Sequence, residues 1–333
     1  MMRISYILPC YNVERYLEEC LSSIYNQGLQ DADFEVICVN DCSTDKTRSI
    51  IVSQQSLHSN IILLDQPSNM LPGAARNRGL KLARGEYVWF VDSDDLLKPS
   101  VVDGVLNEMD EGNLDYLLFN YDEFKGIDSS SFVRRTNIYE SWGIEDGLTF
   151  LDRHLDNELR RLSLVWLCVF RRSFLQKKRI SFPDLCMSED SLFMWQCFFE
   201  AQAVKSTGER IYIHRLNDSS IILSPPDARK QYSCSFLFPR ALYKIIEHYR
   251  GRLSGVLLEK MEGYLRHELN QFAVRYLRLS DSERTRYFES MRSDQFWYHQ
   301  FKSYLSRKSR LIYQSGFWGE GFFCKTAALL AGN

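Results

Sequence analysis

Two groups of carboxylates leave apolar runs in this 333-residue chain. Tyr87 to Val91 ends in Asp92-Ser93-Asp94-Asp95, three acids within one turn. Like charges this close raise one another's pKa unless a cation neutralises them. A hard divalent ion bridging carboxylate and phosphate oxygens does so. An acidic turn before a helix uses the same residues, so the D-x-D spacing alone decides nothing. The second group, Glu189-Asp190, opens an apolar stretch reaching Phe199 and also suits a helix's first turn, where the dipole favours acids.

Residues that suit an anion or a heterocycle lie upstream. Arg76 falls in the first turn of a helix read from Gly73, and helix amides and a guanidinium both attract phosphate. An ion pair with a neighbouring acid is the alternative. Asp41 follows an apolar run and either caps the next helix or accepts a hydrogen bond from a base ring N–H. Pro9-Cys10-Tyr11-Asn12 follows the first apolar run, and there Asn12 reads as a helix cap.

The elements that must position these residues alternate. Strands are expected at Arg3 to Leu8, Phe34 to Asn40, Ile61 to Asp65, Tyr87 to Val91 and Tyr116 to Asn120. Between them fall helical patterns: the stripe Val13, Tyr16, Leu17, Cys20, Leu21, Ile24, a helix after Asp45, one from Gly73 to Ala83, and one from Ser100 to Met109. This rhythm calls for an α/β fold with a mostly parallel sheet and helices on both faces. Ligands of such sheets bind beyond the carboxyl ends of the strands, where four strand ends here each supply a polar cluster. Beyond Tyr121 the rhythm changes to a serine-rich loop, a helix from Gly147 to Leu159, an apolar segment Leu164 to Phe170, and a strand Arg210 to His214. From Pro225 the chain reads as helical, with Leu257, Met261, Leu265 and Leu269 at helical spacing. The expected domains are 1–224, with a donor half 1–121 and an acceptor half 122–224, and a helical extension 225–333.

Composition removes several classes. A net charge of -2 is unlike that of a nucleic-acid binder. No G-x-G-x-x-G or G-x-x-x-x-G-K-[ST] is present, so the dinucleotide fingerprint and the P-loop are excluded, and a sugar nucleotidyltransferase lacks its glycine-rich first turn. Nine cysteines without a C-x-x-C pair suit free thiols in a reducing compartment. An N-terminus that enters a strand pattern at once leaves no room for a signal peptide. Leu311 to Ala331 is broken by Glu320, Lys325 and glycines and should not span a bilayer. The expected location is cytoplasmic.

With these pieces placed, the chain resembles the inverting family 2 glycosyltransferases of GT-A fold. The resemblance rests on ILPCYN at 7–12, VNDCSTDKT at 39–47, GAARNRGL at 73–80, FVDSDD at 90–95 and SED at 188–190, in family order over about the first 220 residues. It implies transfer of a sugar from a nucleoside-diphosphate sugar, UDP favoured, to a hydroxyl of a saccharide or lipid-linked saccharide. Pro9, Tyr11 and Asn12 would meet the nucleobase, and Asp41 would read its edge. Gly73 and Arg76 would approach the base and diphosphate. Asp92 and Ser93 would lie at the ribose or metal, and Asp94 would ligate Mn²⁺ or Mg²⁺. His214 would be a third metal ligand and Arg215 a phosphate clamp. Asp190, with Glu189 as alternative, would be the general base, and direct attack would invert the anomeric centre. A donor-binding protein without turnover is the alternative. In the extension, Lys302, Arg307, Lys308 and Arg310 beside Tyr304, Phe317 and Trp318 suit peripheral contact with the inner membrane face or packing on the catalytic domain. Trp166 suits an acceptor sugar or a core.

Overall fold

A computed structural model describes residues 2–126, 132–136, 138–154, 164–184, 188–216 and 237–270. The chain divides into two compact units, 1–184 with 189–224, and 185–188 with 225–333. The first is built on a ten-stranded sheet in the order β3-β2-β1-β4-β9-β6-β10-β5, with β7 on β6 and β8 on β10.

β1 (Ile4–Cys10), β2 (Phe34–Asn40), β3 (Ile61–Asp65) and β4 (Tyr87–Phe90) run parallel. β2 and β4 are buried at every position and β1 at all but Pro9, as strands covered on both faces must be. α1 (Leu17–Tyr25), α2 (Thr47–Leu57), α3 (Leu71–Leu82) and α4 (Val102–Glu111) make the crossovers. α3 lies on β1 at Gly79, where a Cβ would collide with Ile7 Cγ2.

The second half departs from the expected rhythm. The fifth expected strand, β6 (Tyr116–Lys125), does not pair with β4. β9 (Cys168–Arg171) lies between them, antiparallel to both. This strand lay hidden in the segment Leu164 to Phe170: four mostly buried residues show no period-2 alternation, and a short apolar run does not reveal its type. β10 (Val204–Leu216) is far longer than expected. It runs parallel to β6 and carries register shifts between Ser206 and Tyr212, where Gly208 and Glu209 interrupt the pattern. β5 (Leu96–Leu97), β7 (Phe132–Thr136) and β8 (Trp142–Glu145) are short additions, and α5 (Gly147–His154), α6 (Arg172–Lys178) and α7 (Glu189–Glu200) complete the unit.

Asn12 does not cap the first helix. Its φ of 53° turns the chain away, and α1 begins only at Leu17. In the second unit, α8 (Phe238–Tyr249) and α9 (Gly255–Asn270) pack together, with Leu242 and Ile246 buried on one and the Leu257, Met261, Leu265, Leu269 stripe buried on the other. Arg250 pairs with Glu247 and Glu262 across the turn. Among the described residues no helix is long and apolar enough to cross a membrane. The segment 302–318, which carried the expectation of membrane contact, lies outside them.

Candidate active site

The carboxyl ends of β1 and β2 are knitted into one rim. Asn12 Oδ1 accepts the Thr44 N–H at 2.8 Å, Ser43 Oγ accepts that of Asn12 at 3.2 Å, and Thr47 Oγ1 accepts that of Val13 at 2.8 Å. Asp45 Oδ2 accepts the Glu14 N–H at 3.1 Å, so each loop fixes the other. Tyr11 stands 44% exposed on this rim, and the Pro9 carbonyl accepts the Ser93 hydroxyl at 2.7 Å, joining β1 to the acidic turn.

Asp41 is buried and does not cap α2. Its oxygens accept Gln66 Nε2 at 2.9 Å and the N–H groups of Met70 and Leu71 at 2.7 and 2.8 Å. It thereby holds the chain into α3, where Leu71 takes a φ of 73°, a costly left-handed conformation for a leucine. One of the carboxylate's four lone-pair directions remains for a ligand at most.

The three acids after β4 have different partners. Asp95 is fully buried and accepts the Arg215 N–H at 2.7 Å; His214 Nδ1 lies 3.2 Å from both of its oxygens. Burial alone would lower the His214 pKa, but the Asp95 charge outweighs it and pushes it up to about 9. Asp92 Oδ1 accepts Arg76 Nη2 at 2.8 Å, and its N–H donates to Tyr212 Oη at 3.1 Å. No cationic side chain among the described residues forms a salt bridge with Asp94. Burial first, then Asp95 and Asp92, push its carboxyl up to about 7 against the opposing pull of the His214 charge. Among the described residues no three His, Cys, Asp or Glu side chains form a ready-made metal cage.

Arg76 connects this turn to the second acidic pair. The side chain is buried, Nη1 donates to Glu189 Oε1 at 2.9 Å, and the charges of Asp92 and Glu189 overcome the burial that opposes its own. Asp190 accepts the Ser191 N–H at 2.8 Å. Burial, then the Glu189 charge, raise its carboxyl to about 7 against the opposing pull of Arg76.

Two carboxyls able to exchange a proton near neutrality, Asp94 and Asp190, thus lie after β4 and at the start of α7, and one guanidinium links their neighbours Asp92 and Glu189. The sequence matches the profile of Glycosyl transferase family 2 over residues 5–177. This chain belongs to that family. It is 31% identical over 279 residues to the uncharacterized glycosyltransferase EpsJ of Bacillus subtilis, covering 80% of this chain and 76% of EpsJ. It is 30% identical over 234 residues to the poly(ribitol-phosphate) beta-N-acetylglucosaminyltransferase TarS of Staphylococcus aureus, 68% of this chain but 39% of TarS. In structure it matches the 1–349 fragment of TarS in complex with UDP-GlcNAc with a TM-score of 0.65 at 22% identity, covering 98% of this chain and 91% of that one. The fold is therefore that of a GT-A glycosyltransferase.

In this family 2 glycosyltransferase two expected positions have other duties. Arg215, expected as a phosphate clamp, turns its guanidinium onto protein in this structure. It is 2% exposed, Nε donates to the Asp94 carbonyl at 2.8 Å, Nη1 to Gly126 O at 2.6 Å and Nη2 to Glu19 at 2.5 Å, between the rings of Tyr16 and Phe124. A basic residue at the end of a strand carries no sequence mark of whether it points to ligand or to protein. Trp166 belongs to the core. It is 6% exposed, its ring stacks on Tyr212 at 4.7 Å and on His214 at 5.1 Å, and its carbonyl accepts Trp89 Nε1 at 2.9 Å. Tyr212, which steadies Asp92, was not marked by the sequence; it is one more apolar position in a strand until its hydroxyl meets the turn.

Proposed function

We propose that this enzyme transfers a sugar from a UDP-sugar to an acceptor hydroxyl with inversion, using a divalent metal at Asp94 and Asp190 as the base. The observation that carries the proposal is the pair of partly desolvated carboxyls, Asp94 and Asp190, at opposite ends of the Asp92-Arg76-Glu189 ion-pair chain. TarS and the poly(ribitol-phosphate) beta-glucosyltransferase of Bacillus spizizenii are both named for beta transfer, and solved structures hold UDP-GlcNAc in TarS and GDP-Man with Mn²⁺ in the mannosyltransferase PcManGT of Pyrobaculum calidifontis. Those relatives are longer than this chain's matched region, and their acceptor suggests a hydroxyl-rich cell-surface polymer.

The donor set fits Mn²⁺ or Mg²⁺. Asp94 is a partly buried hard-oxygen ligand beside two further acids, and a cation would remove the repulsion that protonates it. Asp92 and His214 Nε2 are the adjoining donors, with the His214 ring steered by Asp95. Bound there, the metal would neutralise charge growing on the leaving diphosphate. Tyr11 and the 66–71 segment held by Asp41 flank the place for the base. Asp190 takes the proton as the acceptor oxygen bonds to the anomeric carbon. The carbon–phosphate-oxygen bond breaks, and its electron pair leaves with UDP.

A thermal-shift series with UDP and GDP sugars, with and without Mn²⁺, tests this. UDP with Mn²⁺ should stabilise the protein by about 2.7 kcal/mol at a hundredfold excess over Kd, and Asp94→Ala should remove the metal dependence. UDP binding of the parent that is indifferent to Mn²⁺ and Mg²⁺ would overturn the proposal.

A further inference from the structure

Arg76 is fixed on every side. Nη2 is held by Asp92 at 2.8 Å and Nη1 by Glu189 at 2.9 Å, the Phe182 ring lies 5.4 Å from Cζ, and Phe182 stacks on Phe193 of α7 at 4.1 Å. The third guanidinium nitrogen, Nε, is buried without an acceptor. Glu189 is equally constrained: a Cβ on Gly73 would stand 2.8 Å from its Cγ, so the start of α3 packs directly on the start of α7.

That arrangement separates the two acids of the pair. Glu189 is committed to its ion pair with Arg76, and without that pair a buried guanidinium would be left half compensated, which is strongly unfavourable. Asp190 carries no such penalty, since it accepts its hydrogen bond from a neutral N–H, that of Ser191.

We propose that Arg76 and Glu189 are positioning residues: the Arg76 fork ties Asp92 on the donor side to Glu189, and so fixes where Asp190 stands when the acceptor's proton reaches it. Both act by orienting these carboxylates. The inference rests on Asp190 being the base.

UDP release from UDP-N-acetylglucosamine or UDP-glucose with Mn²⁺, water serving as acceptor, measures the coupling in Arg76→Gln, Glu189→Gln, their double variant, Arg76→Lys and Asp190→Asn. Each Arg76→Gln or Glu189→Gln change should lower kcat about 10- to 100-fold, as loss of an orienting partner does, with the donor KM within about twofold. The double variant should be no slower than the worse single one, because the pair acts as one unit. Arg76→Lys, a point charge unable to span both carboxylates, should group with Arg76→Gln while keeping the fold. Asp190→Asn should lose the full general-base factor, about 10²- to 10⁴-fold. Losses that multiply in the double variant overturn the proposal, as does a raised donor KM with kcat preserved in Arg76→Gln or Arg76→Lys. Full turnover in Asp190→Asn is a different failure, for it removes the base assignment itself. Melting with UDP and Mn²⁺ distinguishes a misfolded variant from an inactive one.

Discussion

Replacing Asp190 by asparagine should cut turnover by about 10²- to 10⁴-fold and, at the same time, make the ligand-free protein more stable above neutral pH. The carboxyl is pushed from 3.8 to about 7 because burial and Glu189 both oppose its charge. At about 1.4 kcal/mol per pKa unit, ionising it in the fold costs at most about 4 kcal/mol. The side chain keeps part of its exposure and water screens it, so a gain of about 1–2 kcal/mol is expected from asparagine, which keeps the shape and the Ser191 contact. For a domain of this size that is a rise in Tm of about 2–8 °C. A group whose folded pKa is raised binds more protons in the fold than in the unfolded chain. Its stabilising contribution is therefore complete below about 4 and lost as pH climbs through about 7. The difference between variant and parent should accordingly be near zero at pH 4 and reach its plateau by pH 8. Melting curves of the metal-free, nucleotide-free protein across that range read it directly. A variant that is neutral or destabilised at pH 8, or a gain that ignores pH, would refute the claim that Asp190 is an uncompensated, desolvated acid.

Two other substitutions probe the scaffold. Asp41→Ala leaves Gln66 and the Met70 and Leu71 N–H groups without their acceptor; it should cost about 1–3 kcal/mol in urea unfolding and weaken UDP binding, and retained UDP affinity would argue against this segment flanking the base. Gly79→Ala drives a methyl into Ile7 and should destabilise by about 1–3 kcal/mol, with Ile7→Ala recovering part of that loss in the double variant; additive losses would show that the helix shifts instead.

The sequence by itself determined the first half of the sheet. The pattern places strand ends at Leu8, Asn40 and Val91, within two residues of the observed Cys10, Asn40 and Phe90, because mostly apolar runs stop at polar turns, and helical spacing fills the gaps between them. The acids after β4 and at the start of α7 were legible for the same reason: a carboxylate that follows a buried run is conspicuous. The helix over Leu257 to Leu269 followed from a 3.6 period alone. Tertiary structure decided the rest. Whether β9 is a strand depends on a slot between β4 and β6 that forms only when the sheet assembles. Which of three adjacent aspartates lacks a salt bridge depends on where Arg76, His214 and Arg215 arrive from distant parts of the chain, and local pattern carries no record of that. Side-chain charge is written in the sequence, but its compensation is a property of the fold, because an ion pair is set by distance in space and not by separation along the chain.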